Sequence, residues 1–110
     1  MDKELVMYSR TLGCPYITIA KKTLSEYNIS VREVFIDKDD KARQYVLNWT
    51  GFLAVPTLVV ANLGADLPYQ APVNLSEGQS PRGINRGTLI TEASRDELII
   101  WLTQHGFIEG

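Results

Sequence analysis

The chain opens with two short apolar, β-branched runs separated by one helical stretch, and that order constrains the fold more than any other feature. Residues 4–9, "ELVMYS", are too short and too continuously apolar for a surface helix and read as a buried strand. Thr11 to Gly13 break the run. Pro15 then opens a helix, at the position where a missing N–H has no partner to lose. Ile17, Ala20, Leu24 and Tyr27 recur along one face, with Lys21, Lys22 and Glu26 mostly opposite, and Asn28 supplies a left-handed stop. Residues 29–37, "ISVREVFID", read as a second strand. Two strands joined through a helix lie parallel, with a right-handed crossover.

The remainder extends this unit. The acidic run "DKDD" at 37–40 offers N-caps to a second helix with Ala42, Tyr45, Val46 and Trp49 on its inner face and Gly51 at its end. Capping accounts for these carboxylates more simply than a metal site does. Residues 56–61, "PTLVVA", form a third strand, and 88–90, "TLI", a short fourth. With no helix between them, these two can pair antiparallel. Ser94 and Glu97 make a capping box for a last helix holding Leu98, Trp101, Leu102 and His105, closed by Gly106 with Phe107 packing back. The predicted class is α/β, in the order βαβαββα: a four-stranded mixed sheet flanked by three helices, in a single domain over 1–110. Residues 62–87 stand out as a long loop insertion carrying three prolines and four glycines. Connections of that length are usually functional or mobile.

Composition narrows the function classes. A net charge of −2 gives no reason to expect nucleic acid or an anionic membrane as partner. No apolar run approaches the roughly 18 residues that span a bilayer. The apolar stretch in "MDKELVMYS" is too short for a secretory signal and lacks a small-residue cleavage site. The single cysteine forms no internal disulfide, so no oxidising compartment is required. A cytoplasmic location is expected.

That cysteine, Cys14, falls directly before Pro15, at the start of the first helix. Free N–H groups and partial positive charge at a helix N-terminus stabilise a thiolate, the nucleophilic form. Arg10 lies just upstream, and Tyr16 can wall one side of a pocket. The competing account is a small core hydrophobe, as free cysteines often are. Pro56 opens an apolar strand, where it removes a ladder donor. One reason for such a proline is a cis Val55–Pro56 bond that turns the Val55 backbone toward an extended ligand. His105 reads as a partner of a helix C-terminus rather than a ligand, and no metal is expected.

"CPY" at 14–16, "WTGFLAVPT" at 49–57 and "TEASRDEL" at 91–98, on this order of elements, resemble the glutaredoxin family of the thioredoxin superfamily from Leu5 to about Leu102. The resemblance implies a thioredoxin-like fold, with Cys14 as the nucleophile that attacks the mixed disulfide between glutathione and a target. It makes Tyr16 the adjoining aromatic and Val55–Pro56 the pair whose valine backbone binds the cysteine part of glutathione. It puts Ser94, Arg95 and Asp96 at the turn that holds the γ-glutamyl carboxylate, where a helix N-terminus is also a ready anion site. The family's basic residue stands three positions before the cysteine; here that place is Thr11, with Arg10 one step further out. Ala54 replaces the usual threonine before Val-Pro, and Ala93 and Ser94 stand where many members have a glycine pair.

Ile17 occupies the place of a resolving cysteine. The implied chemistry is therefore monothiol, with glutathione as cosubstrate and second thiol and glutathionylated or disulfide-containing proteins as partners. The alternative is a catalytically weak thioredoxin-fold protein-binding module that docks a partner through the Cys14 groove and the 62–87 loop. Tyr69, Glu77, Arg82 and Arg86 fit such a contact surface, and each also fits an ordinary solvated loop. Iron–sulfur binding would need a second chain and outside thiols, and Pro15 and Ile17 depart from the cluster-binding pattern.

Overall fold

In a computed structural model describing residues 3–108, the elements are β1 (Lys3–Ser9), α1 (Pro15–Glu26), β2 (Arg32–Phe35), α2 (Asp40–Thr50), β3 (Thr57–Asn62), β4 (Leu89–Thr91) and α3 (Arg95–Gln104). Positions 1, 2, 109 and 110, the ends of the expected domain, lie outside the described residues. The sheet order is β2-β1-β3-β4, with β1 parallel to β2, and β3 antiparallel to both β1 and β4. This is the expected four-stranded mixed sheet with three helices, a thioredoxin-like fold.

Strand alternation sorts the core into two layers. Leu5 and Met7 of β1 face one side with Leu58, Val60 and Ile90, against Ala20 and Leu24 of α1 and Leu98, Trp101 and Leu102 of α3. Val6 and Tyr8 face the other side with Val59, Ala61 and Leu89, against Ala42 and Val46 of α2. Ile17, in the first turn of α1, joins this second layer together with Val55. The caps are those expected. Asp39 accepts from the Ala42 N–H at 3.1 Å, Gly51 closes α2 in the left-handed region, and Ser94 and Glu97 cap α3 reciprocally.

The structure departs from expectation at element ends. β2 spans only Arg32–Phe35; Ile29 and Val31 pack on the first layer from the preceding turn. Tyr27 lies beyond the last helical residue of α1 and is exposed, and Thr23 takes the inward place, donating its hydroxyl proton to Ile19 O at 2.8 Å. His105 is the C-cap of α3 rather than an interior residue. Its Nε2 lies 2.6 Å from Gly87 O, which also accepts from Trp101 Nε1 at 2.7 Å. A carbonyl can only accept, so His105 carries its proton on Nε2.

Between β3 and β4 the chain is pinned at many points. Gly64 N–H donates to Glu4, Arg32 donates to Ala65 O and pairs with Asp66, and Tyr8 donates its hydroxyl to Asp66 O. Thr88 donates to Gln70 O at 2.8 Å, and Gly83 N–H donates to Thr91 O at 2.7 Å. A parallel bridge of Arg82 with Thr91 thus covers part of the free edge of β4, an edge that would otherwise invite pairing with another chain.

Gly83 sits at φ 72° against the start of α3, and a Cβ there would lie 2.5 Å from Glu97 Oε2. Glu97 is held because its Oε1 accepts the Ser94 N–H at 2.8 Å. Gly83→Ala combines left-handed strain with a clash that opens the capping box. We expect a loss of about 1–3 kcal/mol in urea denaturation, and part of it should vanish in Gly83→Ala/Glu97→Ala. Equal stability of Gly83→Ala and wild type would refute this account of the contact.

Candidate functional site

Sheet topology assembles the site. β1 and β3 run antiparallel with Tyr8 opposite Thr57, so the loop leaving β1 meets the turn entering β3. Cys14 Sγ lies 3.7 Å from Val55 O, across 41 positions of sequence. The Val55–Pro56 bond is cis. Thr57 donates its hydroxyl proton to Ala54 O at 2.9 Å, so Thr91 is the donor in the buried 3.0 Å contact between the two hydroxyls. This relay fixes the turn that carries Val55.

Cys14 is the N-cap of α1, in extended backbone, and its side chain makes no capping hydrogen bond. Its carbonyl accepts from the Thr18 N–H at 3.1 Å. Pro15 has no N–H, which leaves those of Tyr16 and Ile17 as the free donors of the first turn. No acidic residue lies in that turn. A sulfur here faces partial positive charge and nothing competes for it. Ile17 is 4% exposed and packs with Tyr8, Val55 and Val59. The place of a second thiol is thus filled by a core residue.

Upstream, Thr11 donates both its N–H and its hydroxyl to the Asp37 carboxylate. The Thr11 hydroxyl, and then its N–H, hold the Asp37 carboxyl below its usual value. Thr11 is thereby committed to the β2–α2 turn, and Arg10 rather than Thr11 lines the cleft.

The cleft measures about 1180 Å³, above the roughly 300–1,000 Å³ of common ligand sites. Arg10, Cys14, Tyr16 and Val55 line it together with the end of α2 and residues 51–54; residues 74–76 and 78–82, with Arg86 and Glu92, complete the lining. Arg82 reaches across this space. Its guanidinium carbon lies 5.0 Å from the centre of the Tyr16 ring, and its Nη2 pairs with Glu92 at 3.3 Å.

Arg86 is not the solvated loop residue its position suggested. It is 5% exposed, donating through Nε to Val73 O at 2.7 Å and through Nη1 to Trp49 O near the end of α2. Burial depresses its pKa, and no charged neighbour offsets that.

Cys14, Arg10, Tyr16 and Val55 are therefore brought together, with Pro56 buried behind them. Ser94, Arg95 and Asp96 do not line the cleft. The Ser94 hydroxyl accepts from the Glu97 N–H, and Arg95 is paired with Glu26 of α1 at 2.8 Å. Glu92 escaped the sequence reading. Nothing in its identity signals the left-handed backbone (φ 47°) that places it in the cleft. Among the described residues no group of three or more His, Cys, Asp or Glu could hold a metal ion, and no helix is long and apolar enough to cross a membrane.

The glutaredoxin family model matches residues 5–63, just over half of the 110-residue chain. The match takes in Arg10, Cys14, Tyr16, Val55 and Pro56 and stops where the pinned segment begins. No curated protein sequence matches the chain. Among solved structures, a buckwheat glutaredoxin–glutathione complex is similar to it at 18% identity and a TM-score of 0.47, covering 94% of this chain and 71% of that one.

The Asp37–Thr11 contact has a pH signature. A carboxyl with a depressed folded-state pKa contributes stability above its unfolded value, near 4, and loses it as pH falls through the folded value. Wild type should therefore be more stable than Asp37→Ala at neutral pH, and the gap should close on acidification below about pH 4. A gap in thermal midpoints that stays constant from pH 7 to pH 2.5 would exclude the contact.

Proposed function

The chain belongs to the glutaredoxin family, and from that premise we propose that it is a monothiol thiol–disulfide oxidoreductase with glutathione as cosubstrate. The observation that carries the reading is Cys14 at the N-cap of α1, 3.7 Å from Val55 O on the wall of an open cleft, with Ile17 buried where a second thiol would stand.

The chemistry follows from one sulfur. The Cys14 thiolate attacks the glutathione sulfur of a protein–glutathione mixed disulfide. The protein leaves as thiolate and takes a proton from water, and Cys14 is left joined to glutathione. A second glutathione, as thiolate, attacks that bond at the glutathione sulfur, and glutathione disulfide departs as Cys14 is restored. The target sulfur is reduced to a thiol at the expense of one free glutathione, and the glutathione already held in the mixed disulfide leaves with it as glutathione disulfide. No internal partner is required. Tyr16 and the Val55 backbone flank the reacting sulfur, Pro56 sets the Val55 turn, and Arg10 offers a cation at the cleft mouth. The cytosol, where thiols stay reduced, suits this cycle. Ser94, Arg95 and Asp96, at the start of α3, are the place proposed for the γ-glutamyl carboxylate, although they do not line the cleft itself. The alternative, a thioredoxin-fold binding module of little catalytic power, would use the same cleft without needing the thiol.

Incubation with oxidised glutathione should give one glutathionyl adduct per chain by intact mass, absent in Cys14→Ser. Reduction of a glutathionylated protein by free glutathione should fall to the uncatalysed rate in the same variant. Wild-type turnover no faster than that of Cys14→Ser would leave the binding module as the better reading.

A further inference from the structure

We propose that the segment between β3 and β4 supplies the carboxylate-recognition side of the cosubstrate site, through Arg82 and Arg86. The inference rests on the glutathione-dependent reading above and names what selects the cosubstrate.

Charge is the first argument. Three arginines (Arg10, Arg82 and Arg86) and one carboxylate (Glu92) line the cleft, in a chain whose net charge is −2. The cleft is thus a cationic island that favours an anionic ligand. Two of the three cations come from the segment that lies beyond the family match.

Arg86 is the second argument. Its guanidinium meets two backbone carbonyls, and among the described residues no carboxylate pairs with it. Carbonyl oxygens satisfy donors but carry no net charge, so a nearly buried cation is left uncompensated, an expensive state. Trp49 O, one of the last carbonyls of α2, offsets part of that through the helix dipole. Only two of five N–H donors are used in these contacts. A carboxylate in the cleft would supply the missing charge.

Arg82 is the third. The Tyr16 ring and Glu92 fix its guanidinium from two directions, beside the residue that lies two positions after the nucleophile. Its remaining donors form a planar fork suited to a carboxylate. The start of α3 offers no comparable cation, because Arg95 is paired with Glu26. The Glu97 side chain already takes the Ser94 N–H, Ser94 takes the Glu97 N–H, and Gly83 packs against that carboxylate. The N–H groups of Arg95 and Asp96 are left for a ligand there, and they carry no net charge. Glutathione carries two carboxylates, and Arg82 and Arg86 are where this cleft can take one with full positive charge.

The test compares two substrates with the same reacting disulfide: the mixed disulfide of glutathione with 2-mercaptoethanol, and its dimethyl ester, in which both carboxylates are neutral. The readout is the ratio of kcat/KM for acid over ester. Loss of a charge-assisted hydrogen bond corresponds to about tenfold in kcat/KM. Wild type should favour the acid by about tenfold or more, and Arg82→Ala should bring the ratio several-fold closer to one. Arg82→Ala/Glu92→Gln should keep that loss, which separates the missing cation from an exposed glutamate. Arg86→Lys, which keeps the charge but not the fork, should lose part of the preference. Arg43→Ala, on the exposed side of α2, should leave the ratio unchanged. If Arg86→Lys fails to fold, the Arg82 variants decide. A ratio unmoved by these substitutions, or a wild-type ratio near one, overturns the proposal and leaves the oxidoreductase reading standing. Turnover of neither substrate overturns both.

Discussion

Burial of β1 on both faces is the constraint from which the rest follows. Leu5, Val6, Met7, Tyr8 and Ser9 are all 0–1% exposed, so neither face of the strand can be left to water. α1 and α3 cover one face and α2 the other. The parallel link to β2 and the antiparallel link to β3 place the C-terminal end of β1 beside the N-terminal end of β3. That junction is where Cys14 and Val55 meet. The reactive geometry is a by-product of strand direction, and the residues that secure it are core residues. Ile17 shows the coupling best, because the side chain that excludes a second thiol also packs under Val55. Burial of such a side chain contributes about 1.5–3 kcal/mol.

The segment between β3 and β4 illustrates how a long insertion becomes part of a site. Ordering so many residues costs conformational entropy, and this segment has few buried apolar side chains to offset it. Polar fastening does that instead: Asp66 with Arg32 and Tyr8, Thr88 with Gln70, Arg86 with Val73 and Trp49, Gly83 with Thr91. The result is a wall of the Cys14 cleft that gives it its size and most of its positive charge.

The sequence was most informative where local physics decides. The order of elements, the Asp39 and Ser94 caps, the Gly51 stop and the β3–β4 pairing can all be read from periodicity and from residues with strong positional preferences. Legibility failed where the partner is a backbone carbonyl. Arg86 looks like any loop arginine, because its acceptors, Trp49 O and Val73 O, leave no trace in residue identity. Glu92 fails for a similar reason, its placement being set by backbone conformation. Tyr27 and His105 fit the helical period, yet both helices end one residue earlier.

By itself, the sequence determined a thioredoxin-like order of strands and helices, a lone thiol before Pro15 at a helix start, and the absence of a second cysteine to resolve it. Spacing and local preference suffice for those. Only the tertiary structure decided what surrounds the thiol. It put Arg10 rather than Thr11 on the cleft, because Asp37 holds Thr11. It set Arg82 on the cleft beside Glu92 and buried Arg86 against Val73 O and Trp49 O. These outcomes depend on contacts between residues 10 to 41 positions apart, and no local pattern along the chain encodes which of them form.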